Sequence, residues 1–107
     1  MEQDYNGWKN RETWATALHI DNDMFLLDTA IDYAKRTLEE NEDETIATSY
    51  LAEEYQYWIE EDLLTLENIK GNEGLWLMLT DIGSLYRVDW REIASHYLDQ
   101  AREQVSA

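Results

Sequence analysis

The chain of 107 residues carries 24 Asp and Glu against 8 Lys and Arg, which gives a formal net charge of -16. Its length predicts one domain with a modest core, and a hydrophobic content of 44% argues that this domain folds. So strong a negative charge argues against direct binding to nucleic-acid phosphates or to an anionic membrane, because both would repel the protein. The absence of cysteine excludes disulfides, thiolate metal sites and cysteine nucleophiles.

The first residues and the apolar runs bear on the compartment. Residues 1–10 are polar and acidic, so we expect no secretion signal. No apolar run approaches the roughly 18 residues that a membrane span needs, so we expect no membrane segment. Together with the missing cysteines, these features predict a cytoplasmic protein.

The first half of the chain predicts an aromatic arm followed by two helices. Residues 1–9 form the arm, which we expect to lie over the core. Asn10 is a favourable N-cap for the first helix, which ends near a cluster at residues 21–23 that also caps the second. The apolar stripe of the first helix is Trp14, Ala17 and Leu18. The second helix runs from Met24 to Glu39, with an inner face of Met24, Leu27, Ile31, Ala34 and Leu38.

The middle of the chain is an acidic amphipathic segment. Residues 39–67 hold eleven carboxylates without a single Lys or Arg, and they carry -11 of the total charge of -16. After a polar connection at residues 41–44, the periodicity predicts a helix from Thr45 to Leu66. Its apolar face is Thr48, Leu51, Ala52, Tyr55, Trp58, Ile59, Leu63 and Leu66. Its outer face is Tyr50, Glu53, Glu54, Tyr57, Glu60, Glu61 and Glu67.

This outer face has two interpretations. Like charges at neighbouring helical positions cost about a few tenths of a kcal/mol each, so the apolar face must hold the helix on the rest of the chain. A charge run is most often a solvated surface, but so one-sided a charge also suits docking onto a positive partner. Asp62 falls at the centre of the apolar arc. Either the helix breaks before Asp62, or this carboxylate pairs with a cation such as Arg87 or Arg91.

The last third predicts two more helices. After a loop at residues 70–74, a short buried helix runs from Leu75 to Ile82, and Gly83 is placed for a left-handed C-terminal cap. Its inward residues are Leu75, Met78, Leu79 and Ile82. The final helix opens with a capping box, Asp89 and Glu92, and a hydrophobic staple, Val88 and Ile93. Its stripe is Ile93, Ala94, Tyr97, Leu98, Ala101 and Val105. No segment alternates as a strand. The sequence therefore predicts an all-α, compact single-domain bundle of about five helices over residues 1–107.

Catalytic and metal-binding residues are sparse. His19 lies near Asp21 and Asp23, and His96 shares a helix face with Asp99, so a His/His/carboxylate site needs two helix surfaces to meet. Surface or capping histidines are the commoner case. The candidate nucleophiles Ser49, Ser84 and Ser95 lie in no recognisable catalytic motif. We therefore predict no enzyme activity, no cofactor and no metal.

Aromatic and cationic residues cluster at both ends of the chain. The cations Arg11, Arg87 and Arg91 accompany the rings of Trp8, Trp14, Tyr86 and Trp90. Stacking of guanidinium groups on these rings would join the arm to the last helix. Core packing is the more usual role for such a cluster, and a recognition surface is the alternative.

Two segments carry a resemblance. Residues 6–14 read N-G-W-K-N-R-E-T-W and are followed by L-H-I-D-N-D at residues 18–23, and residues 81–94 read D-I-G-S-L-Y-R-V-D-W-R-E-I-A. These segments resemble the opening and closing segments of small acidic proteins encoded by bacteriophages and other mobile elements. The resemblance covers about a third of the chain and excludes the acidic middle. It implies a phage or mobile-element origin, hence the host cytoplasm, and carries over no catalytic residues.

The leading functional hypothesis is a phage-type nucleic-acid mimic. Its outer face, with Glu53, Glu60 and Glu67 repeating every seven residues, would occupy a basic groove of a host DNA- or RNA-binding protein such as a restriction or CRISPR nuclease. The predicted partner-binding residues are Tyr50, Glu53, Glu54, Tyr57, Glu60, Glu61 and Glu67. The alternative is an interaction or assembly module with an aromatic surface. A homodimer is one assembly that such a surface could form. An enzyme or metalloprotein using His19 or His96 is the third hypothesis.

Overall fold

A computed structural model describes residues 5–106, so the first four residues of the predicted arm and the last residue of the predicted domain lie outside the described part. Within residues 5–106 the chain forms six α-helices and no strand, which confirms the all-α prediction. The helices are α1 (Arg11–Asp21), α2 (Met24–Glu40), α3 (Glu44–Tyr57), α4 (Leu66–Ile69), α5 (Glu73–Ile82) and α6 (Trp90–Ser106). A π-helical turn, Trp58–Leu63, follows α3, and a 3-10 turn, Leu85–Arg87, precedes α6. None of these helices combines the length and apolar character that crossing a bilayer requires.

Short polar side chains start most of the helices. The side-chain oxygens of Asn10, Asp23, Asp43, Asn72 and Asp89 each accept a hydrogen bond from a backbone N–H two or three residues later. These caps satisfy N–H groups that have no partner inside the helix. The predicted starts of the first, second and last helices are confirmed, and α5 begins two residues earlier than predicted.

The core lies where α2 and α3 pack on α6. Tyr55 of α3 and Tyr97 of α6 are fully buried, and their rings meet edge to face with centroids 5.9 Å apart. The Tyr55 hydroxyl donates to the backbone oxygen of Ala30 in α2. The Tyr97 hydroxyl donates to Asp21 Oδ1 at the end of α1, at 2.7 Å. Two buried phenols therefore connect four of the helices.

The predicted inner face of α2 is confirmed at Ile31 and Ala34 and wrong at Met24, which is 80% exposed. Leu26, Ala30 and Thr37 are buried in addition. Small residues allow the neighbouring helices to approach closely, and the buried Thr37 hydroxyl donates to the backbone oxygen of Tyr33. The prediction favoured large apolar residues over these small ones. The predicted inward residues Leu18, Leu66 and Val105 are also exposed.

The start of α6 is capped by both its own residues and those of the N-terminal region. Asp89 Oδ1 accepts the N–H of Glu92 at 3.1 Å, as the capping box predicts. The reciprocal half of the box is absent, which corrects the prediction. The N–H of Asp89 donates to Thr13 Oγ1 at 2.8 Å, and Glu92 Oε1 accepts the N–H of Lys9 at 2.9 Å. The N-terminal region thus supplies the partners that a complete capping box would supply within α6.

Further bonds extend this contact. Asn10 caps α1 with its side-chain oxygen and donates its amide N–H to the backbone oxygen of Arg87 at 2.8 Å. The Thr13 hydroxyl donates to the same Asn10 oxygen at 2.7 Å. Arg87 also pairs with Glu12 at 3.4 Å. We call this set the α1–α6 joint, made by Lys9, Asn10, Glu12, Thr13, Arg87, Asp89 and Glu92.

We expect Thr13→Val to lower the free energy of unfolding by about 1–3 kcal/mol, because it leaves the N–H of Asp89 without an acceptor in a partly buried place. Thr16→Val is the matched control, since Thr16 is equally buried but donates only to the backbone oxygen of Glu12. Urea unfolding of both variants measures the difference. Equal losses would show that the Thr13 hydroxyl does not hold the joint.

The two buried phenols predict alkaline instability. Burial is the main cause that raises the pKa of Tyr55 and of Tyr97 far above the ordinary tyrosine value, and the hydrogen bond to Asp21 raises that of Tyr97 further. Unfolded tyrosines lose their proton near pH 10 while these two keep it, so stability falls as the pH rises above about 10. Each phenol contributes a slope of about 1.4 kcal/mol per pH unit there. Urea unfolding between pH 8 and about 11 measures this slope, and Tyr97→Phe should halve it.

Candidate protein-interaction surface

The acidic segment is a broken helix, which corrects the prediction of one helix to Leu66. After α3 ends at Tyr57, the backbone widens into the π-helical turn, and Leu64 leaves helical geometry at φ -92°, ψ 51°. The side-chain amide of Asn68 donates to the backbone oxygens of Asp62 at 2.6 Å and Leu63 at 3.3 Å, which closes the end of the turn. Thr65 then caps α4.

The wider turn resolves the position of Asp62. A continuous α-helix would have turned this carboxylate into the core, whereas in the π-helical turn Asp62 is exposed and Trp58, Ile59 and Leu64 are buried. The first of the two predicted explanations therefore applies, since the α-helix ends before Asp62. The suggested cations are engaged elsewhere, Arg87 by Glu12 and Arg91 by Ser49.

Six of the seven predicted partner-binding residues lie on α3 and the π-helical turn. Tyr50 and Tyr57 are 55% and 62% exposed, three of the four glutamates are exposed, and Glu60 is half-buried. Glu67 lies apart on α4, so the predicted seven-residue repeat does not follow one helix. We call the remaining set the acidic face, made by Tyr50, Glu53, Glu54, Tyr57, Glu60 and Glu61.

The carboxylates of the acidic face are not neutralised by cations of residues 5–106. In that range, no ion pair reaches any of the four, and Glu60 has only a hydrogen bond from Gln56 at 3.3 Å. Several cations have partners elsewhere. The ion pairs are Lys9–Asp89 at 3.7 Å, Arg87–Glu12 at 3.4 Å, Arg102–Asp99 at 2.9 Å and Arg102–Glu44 at 3.4 Å. Arg11 donates to the backbone oxygens of Asp81 and Ile82.

A groove of about 530 Å³ runs between α2 and α3 beside the acidic face. The residues that line it include Tyr33, Glu40, Tyr50, Glu53, Glu54 and Tyr57. The contribution of α2 to this groove was not predicted. Tyr33, Thr37 and Glu40 recur at the i, i+4 and i+7 spacing of one helix face, which is the signal that could have revealed it.

Residues 1–96 match a family of unknown function, DUF7249. The chain belongs to this family. The matched range includes residues 6–23 and 81–94, the whole α1–α6 joint and the acidic face. No curated protein and no solved structure matches the chain.

The histidines of this DUF7249 chain have structural partners. His19 Nε2 lies 2.9 Å from Asp81 Oδ2, and not against Asp21 or Asp23 as their nearness in sequence suggested. His96 Nε2 lies 2.9 Å from Gln100, and its ring packs against Trp8 with centroids 4.9 Å apart. Within the described part of the chain, no three His, Cys, Asp or Glu side chains are grouped so that they could hold a metal ion.

The predicted aromatic surface is mostly internal packing in this DUF7249 chain. Trp90 is buried, Trp14 is half-buried against Tyr5 at 5.0 Å, and Trp8 is half-buried against His96. Tyr86 is exposed to 84%. The interpretation of this cluster as packing therefore fits three of its four rings.

The unpaired carboxylates predict a stability cost in the free protein. We expect the combined change Glu53→Gln, Glu54→Gln, Glu60→Gln and Glu61→Gln to raise the free energy of unfolding by about 1 kcal/mol at low salt, because it removes repulsion between neighbouring helical charges. The gain should shrink at high salt, where charges are screened. Urea unfolding at two salt concentrations measures both effects.

Glu44→Gln is the control for this prediction. Glu44 pairs with Arg102 and lies in the first turn of α3, where the helix dipole favours an anion, so its loss should lower stability slightly. A combined variant that is less stable than the wild type would mean that the acidic face has attractive partners within the fold.

Proposed function

We propose that this chain is an acidic binding protein that inhibits or modulates a nucleic-acid-binding protein by docking its acidic face in the partner's basic groove. The observation that supports the proposal is that four glutamates remain without a cation of residues 5–106, while Arg87, Arg91 and Arg102 contact other residues. A surface that served only as a solvated exterior would need no such separation of charge.

The physical basis is the way in which basic grooves bind nucleic acid. Their Lys and Arg side chains recognise the charge and spacing of phosphates largely without reading sequence, so a row of carboxylates can take the same place. The buried residues Leu51, Tyr55 and Ile59 fix α3 and its π-helical turn on the core. The carboxylates are thus presented on a preorganised backbone, which lowers the entropy cost of binding. Tyr50 and Tyr57 add the amphipathic contacts that are common at interfaces.

The class of partner follows from the resemblance to phage and mobile-element proteins. If the chain is encoded by such an element, it acts in the host cytoplasm, and the partner is a host protein such as a restriction nuclease, a CRISPR nuclease or another nucleic-acid-binding protein. The chain itself neither binds nucleic acid directly nor acts as an enzyme in this proposal. Glu67, on α4, is left outside the docking surface.

The test measures displacement of fluorescent duplex DNA from purified basic proteins: a restriction endonuclease, a CRISPR nuclease and a nucleoid protein. We expect the wild-type chain to displace DNA from at least one of them, less effectively as salt rises. The combined variant Glu53→Gln, Glu54→Gln, Glu60→Gln and Glu61→Gln should require at least about tenfold more protein, since it removes four charge contacts.

The control is a second variant with the same change in net charge at exposed residues outside the acidic face. Its substitutions are Asp28→Asn, Asp32→Asn, Glu39→Gln and Glu103→Gln. It should displace DNA as the wild type does. If both variants displace DNA equally poorly, the effect comes from net charge and not from the acidic face. If the wild type displaces DNA from none of the three proteins, the proposal is contradicted.

A further inference from the structure

The groove between α2 and α3 combines aromatic rings with carboxylates. Thr37 is buried and forms its floor, while Tyr33 is half-buried beside it. The exposed side chains of Tyr50 and Tyr57 come from α3. Three carboxylates complete the lining, one from the end of α2 and two from α3, namely Glu40, Glu53 and Glu54. Among the described residues that line the groove there is no Lys or Arg.

This combination favours a flat cation. Aromatic faces attract a cation through the ring quadrupole, and a guanidinium group also stacks on a ring because it is planar. Carboxylates accept two parallel N–H bonds from a guanidinium, which an ammonium group cannot offer in the same geometry. Three rings beside three carboxylates therefore match an arginine side chain better than a lysine.

The protein itself provides one instance of this contact. The guanidinium carbon of Arg36 lies 4.9 Å from the ring centroid of Tyr33, one of the residues that line the groove. This distance lies within the range of a cation–π contact, so one face of the Tyr33 ring already holds a guanidinium of the chain itself, and Tyr50 and Tyr57 are the exposed rings for a partner. The ring is held in place by tilted or edge contacts with Tyr55 and Trp58, at 6.2 Å and 5.7 Å between centroids.

We propose that the α2–α3 groove receives an arginine side chain of the protein partner, together with a short length of its flanking chain. The volume of about 530 Å³ exceeds what one side chain fills and lies in the range of sites that bind small ligands. The inference rests on the proposed function and deepens it. Glu60 and Glu61 supply general attraction to a basic surface, while the groove selects a partner with an arginine at one defined position.

The direct test titrates the full chain with three blocked pentapeptides that carry a central arginine, lysine or citrulline between glycines and serines, followed by nuclear magnetic resonance. We expect the arginine peptide to shift the signals of Tyr50, Tyr57 and Glu53 in a saturable manner. The citrulline peptide keeps the shape without the charge and should bind about tenfold more weakly or not at all. The lysine peptide should bind severalfold more weakly than the arginine peptide.

Substitutions locate the binding. Tyr50→Ala, Tyr57→Ala and Glu40→Gln should each weaken arginine binding by about threefold to tenfold. Tyr86→Ala and Asp32→Asn replace an exposed tyrosine and an exposed carboxylate outside the groove, and should leave it unchanged. Equal binding of arginine and citrulline, shifts spread evenly over the acidic surface, or insensitivity to the three groove substitutions would overturn the proposal. Equal binding of lysine would overturn the selection of a guanidinium.

The same variants separate this inference from the proposed function. If the groove substitutions leave arginine binding unchanged while neutralising the acidic face abolishes DNA displacement, the groove assignment fails and the proposed function stands. If arginine binds in the groove but no basic protein loses its DNA, the proposed function fails and the groove assignment stands.

Discussion

The arrangement of the helices depends on the packing of α2 and α3 against α6, whose first turn is tied to α1 by the hydrogen bond from the N–H of Asp89 to the hydroxyl of Thr13. This bond gives the first turn of α6 an acceptor supplied by α1. Around it, Asn10 caps its own helix and also holds the backbone oxygen of Arg87. Each member of the joint therefore satisfies a polar group that would otherwise be left open at a helix end or in a turn. The two halves of this joint come from residues 9–13 and 87–92, which are far apart in sequence.

The packing of α2 and α3 on α6 also determines where the acidic face points. Because α2 and α3 both pack on α6, Tyr55 and Tyr97 meet at the centre and the apolar side of α3 is buried against them. The opposite side of α3 is left to solvent with its glutamates. The burial of α3 must offset the mutual repulsion of these charges, because no Lys or Arg of residues 5–106 pairs with them. The π-helical turn extends this arrangement by burying Trp58 and Ile59 while it turns Asp62 outward.

Sequence reasoning succeeded where the physics is local. The caps at Asn10, Asp23 and Asp89 depend on residues within one turn of each other, and all three start the helices that they were predicted to start. It failed where burial depends on which helices meet, as at the start of α2, where Leu26 and Ala30 are buried and Met24 is exposed. The position of Asp62 at the centre of the apolar arc indicated that the acidic helix could end before this residue. The hydrophobic pattern did not predict a π-helical turn.

The groove could not be predicted for a related reason. Half of it comes from α2 and half from α3, and only the packing of the two helices brings Tyr33 and Glu40 beside Tyr50 and Tyr57. The outer glutamates were predictable because one helix carries them. It was not predictable that these glutamates have no ion pair within residues 5–106, because that depends on where the Lys and Arg side chains lie in the fold.

The separation of the joint from the exposed face has a consequence for how such a protein can diverge. The residues that hold the two ends of the chain together are distinct from those that the middle of the chain presents outward. Exchanges of the outward side chains of α3, such as Tyr50, Glu53 and Tyr57, leave the bond between Thr13 and Asp89 and the buried Tyr55 untouched, so we expect the fold to tolerate them. One fold can in this way carry different outward surfaces on α3.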